Sequence, residues 1–341
     1  MAFAMTRPRD TVPVVREVRA EGLRLVVREW PGPPGAPAVP LLHGLASTAR
    51  IWDLVAPRLA GRFRVVAYDQ RGHGESGKPA SGYGFDRVTA DALEVIRRLR
   101  LRWPLVVGHS WGASVAAHLA SLARTPVAGA VLIDGGFIPM RERMDWGTAR
   151  ERLRPPPLAG MPLGEFLARG RRMLSPHLEV TPEVEAVLRS LVRVDREGRI
   201  HPRLALRNHL RILRAMWESD PSAVLRRARV PVLVLAVASD RPEDRDFVAA
   251  KRRAAAALRD LPGVRLEWVR GIHDLPLQRP ALLARRLVRF ATELGPGLGT
   301  GPATARAGSG AGSRAAPAAR RGPAPGPRAR PPRAPRGARG G

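Results

Sequence analysis

Residues 104–120 read PLVVGHSWGASVAAHLA. A β-branched run stops at Gly108, a serine sits between two glycines, and an alanine-rich segment begins at Trp111. A Gly-x-Ser-x-Gly match alone decides little in a chain with 34 glycines among 341 residues. Its surroundings carry the weight. A strand ending at Gly108 and a helix starting near Trp111 force a sharp turn at Ser110, and Gly108 and Gly112 leave room for the helix to pass close to the strand. The turn lifts the serine above the carboxyl edge of a sheet, where open α/β sheets bind ligands. This is the strand–turn–helix setting of a nucleophile elbow.

Outward from that turn, strands and helices alternate. LRLVVREW, APAVPLLHG, FRVVAYDQ and VAGAVLIDGG read as strands, the second almost wholly apolar as a buried strand should be. Helical patterns fall at Ile51–Leu59, at Phe85–Leu101, where Val88, Ala92, Val95, Ile96 and Leu99 recur at helical spacing, and at Trp111–Arg124. The rhythm predicts a doubly wound, mostly parallel sheet covered by helices on both faces. It breaks near Phe137, and only helical patterns follow until RVPVLVLAVASD, a helix over Arg252–Leu261, VRLEWVRGIHD and a closing helix over Ala281–Leu294. The expected organisation is a core over 14–136 and 228–294, a helical cap inserted over 137–227, and a tail over 295–341. That tail is built almost entirely from Gly, Pro, Ala, Ser, Thr and Arg, so it is expected to be disordered.

With no cysteine, the chain can form no disulfide, thiolate zinc site or iron–sulfur cluster. The N-terminus shows no apolar signal region and no run long enough to span a membrane, so the expectation is a cytoplasmic protein. The net charge of +28 suggests a polyanion partner. Nearly all of it is arginine, however, with Lys78 and Lys251 the only lysines beside abundant Ala, Gly and Pro, a pattern that GC-rich coding produces by itself. No specific nucleic-acid partner is expected, only weak contacts through the tail, which lacks aromatic residues for base stacking.

A serine hydroxyl needs a base, and the base an orienting acid. Of eight histidines, His273 in GIHDLPLQRP follows the last strand just before the closing helix, from where a loop can reach the serine. His109 abuts the nucleophile and is expected to point elsewhere. The acid should follow an earlier strand: Asp240, ending PVLVLAVASD, is the first choice and Asp134 in LIDGG the alternative. Glu243 and Asp244 are more distant candidates. Two amides would hold an oxyanion: that of Trp111, following the nucleophile, and that of Leu45 in the turn after PLLHG, where His43 and Gly44 let backbone approach closely.

LLHGLAST, YDQRGHGES, GHSWGAS, PVLVLAVASD and GIHDLPLQRP stand in one order and spacing that resembles the α/β-hydrolase superfamily, in the branch with a helical cap. The resemblance covers roughly residues 14–294. It implies a triad of Ser110, Asp240 and His273 with oxyanion amides at Leu45 and Trp111. One departure is that the family usually has glycine three residues before the acid, where this chain has Val237. The serine also sets the chain apart from dehalogenases and epoxide hydrolases. Those attack saturated carbon and need a carboxylate nucleophile, because serine would leave an inert ether.

The expected function is therefore a cofactor-free serine hydrolase that cleaves an ester or similar acyl bond of a small, largely apolar substrate with water. Trp146, Phe166, Met173 and Trp217 of the cap are candidate pocket residues. The same triad would serve a C–C bond hydrolase, an acyltransferase or a perhydrolase. A non-catalytic ligand-binding protein on the same fold is the alternative of another class.

Overall fold

Short β-branched runs become the central strands. The computed structural model describes residues 12–301. Its strands are β1 (Val14–Ala20), β2 (Leu23–Trp30), β3 (Ala38–Leu42), β4 (Arg64–Tyr68), β5 (Leu105–His109), β6 (Gly129–Ile133), β7 (Val192–Val194), β8 (Ile200–Pro202), β9 (Val232–Ala238) and β10 (Val264–Arg270). Eight of them make one sheet in the order β1-β2-β4-β3-β5-β6-β9-β10. β2 pairs antiparallel with β1 and β4, and the remaining pairs of that sheet are parallel. β3, β5 and β6 are buried along their whole length, as strands covered on both faces must be. Successive residues alternate between two cores: Val107, Val131 and Leu235 pack on one face, Val106, Leu132 and Val234 on the other.

The helices are α1 (Ala56–Leu59), α2 (Phe85–Arg98), α3 (Trp111–Ser121), α4 (Trp146–Arg152), α5 (Leu163–Leu174), α6 (Pro182–Ser190), α7 (Leu206–Glu218), α8 (Pro221–Arg226), α9 (Arg245–Ala256), α10 (Leu275–Gln278) and α11 (Pro280–Leu294). This is the doubly wound fold that the alternation predicts. Among the described residues, no helix is long and apolar enough to cross a membrane.

Four local readings change. β1 is an edge strand whose arginine-broken pattern gives only Val18 and Ala20 a buried face. The insertion between β6 and β9 is not wholly helical: β7 and β8 form a hairpin of three-residue strands, too short to leave a periodic signature. α9 starts at Arg245, not Arg252, after a turn over Pro242–Asp244, which draws Lys251 into the helix. The chain stays packed beyond Gly295: Leu298 joins the core, and the Gly299 amide bonds the Trp103 carbonyl at 3.0 Å. The rest of the tail expected to be disordered lies outside the described residues.

The elbow depends on close backbone contact. A Cβ placed on Gly108 would lie 2.1 Å from the Gly112 carbonyl oxygen, and one on Gly112 would lie 2.4 Å from that of Leu42. The obstacles are backbone in buried strands and in α3, so they cannot swing away. Gly112→Ala should therefore lower stability by about 1–3 kcal/mol or more, the usual cost of overpacking a core. Urea denaturation checks this, and an unchanged midpoint would contradict the packing.

Candidate active site

Ser110 is forced into a conformation that serine avoids, with φ 55° and ψ −118°. Its amide continues the β5–β6 ladder by bonding the Ile133 carbonyl at 2.9 Å, while its carbonyl receives the Ala113 amide at 3.0 Å. Strand and helix thus both claim one residue. Asp134 (φ 49°) and Ala46 (φ 57°) are also held at positive φ without being glycine. Strain of this kind costs about 1–3 kcal/mol per residue and gathers at functional sites.

Asp134 follows β6, and its amide bonds the Leu235 carbonyl at 2.9 Å. Its carboxylate is fully buried and receives three donors. The Val237 amide reaches Oδ1 at 2.9 Å, Lys251 Nζ lies 2.6 Å from Oδ1, and His273 Nδ1 lies 2.7 Å from Oδ2. Burial alone would push this carboxyl up. The hydrogen bond and charge of His273, followed by those of Lys251, outweigh burial and hold it below the usual carboxylate range. The His273 side chain is 45 % exposed, yet desolvation among its neighbours pulls its proton affinity down. Asp134 outweighs that effect, so the imidazole sits above its ordinary 6.5.

The structure sets Asp134, the alternative, against His273, and Asp240, the first choice, elsewhere. Asp240 stands beyond the end of β9, which keeps pairing with β10 as far as Ala238 and Arg270. There it is exposed and paired to Arg270 at 2.7 Å, with Asp134 occupying His273 Nδ1. Glu243 is exposed and bonded to Arg241, and Asp244 also faces that arginine, at 3.8 Å. His109 has a task that sequence reasoning missed: its Nε2–H donates to the His273 carbonyl at 2.8 Å, anchoring the loop from behind the elbow. Its position directly before Ser110 is the only sequence signal for this.

The turn after β3 approaches the nucleophile closely. A Cβ on Gly44 would lie 3.0 Å from the Ser110 Cβ. His43 braces this turn, its Nδ1–H donating to the Gly44 carbonyl at 2.8 Å and its Nε2 accepting from the Gln70 amide at 2.9 Å. Burial lowers its pKa to about 4, so it stays neutral and keeps both bonds. His73, lowered by burial to about 3, accepts from the Ala46 amide at 3.3 Å and stacks on Trp111. The amides of Leu45 and Trp111 bond no partner among the described residues. These are the two donors expected for an oxyanion.

A cavity of about 590 Å³ opens beside this turn. Ala46, Ser47, Thr48, His73 and Gly74 line one side. The inserted segment supplies the other, including Pro155–Ala159, Phe166, Leu191, Val192, Leu204 and Leu206. Of the four expected lining residues only Phe166 takes part. Trp146 and Trp217 instead pack on each other with the Arg214 guanidinium against both rings, and Met173 is exposed. Among the described residues, no group of three or more His, Asp or Glu is placed to hold a metal.

A family model described as the α/β hydrolase family matches residues 41–287, and the chain belongs to that family. It is 36% identical over 130 residues to epoxide hydrolase A of Mycobacterium tuberculosis, a match covering 37% of this chain and 40% of that one. A bifunctional esterase/perhydrolase of Acinetobacter calcoaceticus is 36% identical over 115 residues, covering 33% of this chain and 41% of its own length. The chain thus matches about two fifths of the length of these relatives. The crystal structure of an E-2-(acetamidomethylene)succinate hydrolase superposes with a TM-score of 0.69 at 24% identity, covering 82% of this chain and 99% of that one, which shows the shared fold.

The two aspartates should differ in stability as well as position. Asp134→Asn leaves Lys251 buried without its counter-charge, and breaking a buried pair in this way costs about 3–5 kcal/mol. Asp240→Asn breaks an exposed pair worth at most about 1 kcal/mol. Chemical denaturation of both variants measures the difference, and equal losses would contradict the buried cluster.

Proposed function

We propose that the chain is a serine hydrolase that cleaves an ester or similar acyl bond of a small, largely apolar substrate through an acyl-enzyme. The observation that carries this reading is the bond from His273 Nδ1–H to the buried Asp134, at the same sheet edge as the elbow serine. That bond leaves His273 Nε2 as the base. In the first step Ser110 attacks the carbonyl carbon and passes its proton to Nε2. Asp134 stabilises the imidazolium, and the Leu45 and Trp111 amides take the oxyanion. The imidazolium then protonates the leaving group. Water, activated by the same imidazole, releases the acid and restores the serine. No cofactor enters any step.

The inserted segment serves as a cap in this reading. The cavity volume falls within the range of small-molecule sites; its lining mixes proline, leucine and phenylalanine with Glu151, Arg154 and Arg203, and it reaches the turn after β3 rather than Ser110 itself. The epoxide hydrolase relative does not redirect the reading, because serine attack on a saturated carbon would end at an ether that water cannot cleave.

Ser110→Ala should abolish covalent fluorophosphonate labelling and hydrolysis of p-nitrophenyl acetate while leaving the fold intact. In the unaltered chain, kcat/KM should rise with pH as His273 loses its proton. Since Asp134 raises that imidazole, half-maximal activity should fall above pH 6.5. Labelling that survives in the variant, or an acid limb below that pH, would contradict the assignment.

A further inference from the structure

Lys251 is one of the chain's two lysines and is 3% exposed. An ammonium carries three donors, and a buried one must satisfy them. Here Nζ meets Asp134 Oδ1 at 2.6 Å, Asp134 Oδ2 at 2.8 Å and the Val237 carbonyl at 2.8 Å. Its charge also lies over the Phe247 ring, 4.4 Å from the centroid. The ammonium is fully partnered, and its partners are the carboxylate beneath His273 and the end of β9.

A lone buried carboxylate would turn freely about its side-chain bonds and would draw a proton strongly onto the neighbouring imidazole. Lys251 opposes both tendencies. It binds both oxygens of Asp134, while the Val237 amide fixes Oδ1, so Oδ2 is left facing His273 Nδ1. It also balances the aspartate's charge while the imidazole is neutral. We propose that Lys251 is a positioning residue of the hydrolytic site: it clamps Asp134 toward His273 and weakens the pull of that carboxylate on the imidazole's proton.

The role rests on the serine-hydrolase reading, but its physical basis lies in the charge cluster itself. The charged and titratable groups around His273 are Asp134 after β6, Lys251 on α9, Asp274 on its own loop and His109 at the end of β5. Asp134 and Asp274 favour the imidazolium. His109 is lowered by burial to about 4 and remains neutral. Lys251 is therefore the cation in this group that favours the neutral base.

The test is an NMR titration of the His273 imidazole in ¹⁵N-histidine-labelled protein, which needs no substrate. Lys251→Met should raise the His273 pKa by about one unit, a tenfold change in proton affinity. Lys251→Arg, which keeps the charge, should titrate within about 0.3 unit of the unaltered chain. If Lys251→Met fails to fold, Lys251→Ala with and without ethylammonium gives the same comparison, with the amine returning the titration toward its original position. An unchanged His273 titration after the charge is removed, or no response to the amine, would leave Lys251 a packing residue only and overturn the proposal. Absence of fluorophosphonate labelling at Ser110 would instead remove the hydrolase reading while leaving the predicted shift intact.

Discussion

The site depends on one crossing of backbone over backbone. The first turn of α3 passes so close to β3 and β5 that no side chain fits at Gly108 or Gly112. The chain can make that crossing only by turning through positive φ at Ser110. The strain is borne by the ladder bond to Ile133 and by the first bond of α3. The same crossing sets the Trp111 amide at the start of the helix, free of any partner in the strand before it. The elbow, the unpaired Trp111 amide and the approach of Gly44 are consequences of one contact rather than separate devices.

Around that rigid turn the charges are arranged in a second layer. Asp134 receives an amide, an ammonium and an imidazole, and its attraction to the last two exceeds the cost of burying it. His43 and His73 are buried as neutral rings that shape the turn after β3. His109 holds the histidine loop by its carbonyl. Histidines at the site therefore divide by environment: in His43, His73 and His109 burial prevails and the rings stay neutral struts, while the direct bond of His273 to Asp134 outweighs burial and raises its proton affinity.

Much of this was legible in the residues. Ser110 and His273 could be placed because a glycine-flanked elbow and a loop before the closing helix are local features of the chain. The carboxylate partner of His273 was not legible to the same degree. Asp134 and Asp240 each follow a parallel strand, and their identities do not separate them. The choice depends on tertiary partners: Asp240, beyond the end of β9, pairs with an exposed arginine, and Asp134 meets His273. Lys251 was hidden for a related reason: α9 begins earlier than its alanine run suggests, and only that start brings the lysine beneath the strand end. Trp146 and Trp217 look like pocket residues by composition, but their tilted contact with each other and with Arg214 is a tertiary arrangement that spacing does not reveal.

The most direct measurement compares turnover of p-nitrophenyl acetate by Asp134→Asn and Asp240→Asn, each shown to be folded by near-ultraviolet circular dichroism. Losing the carboxylate beneath His273 should lower kcat by about 10³–10⁴-fold, as removal of the orienting acid does in serine triads. Losing the exposed partner of Arg270 should change kcat by less than about threefold, under 1 kcal/mol of barrier. A severe loss in Asp240→Asn with near-normal turnover in Asp134→Asn would contradict the assignment of Asp134 as the acid and the account of the buried cluster built on it.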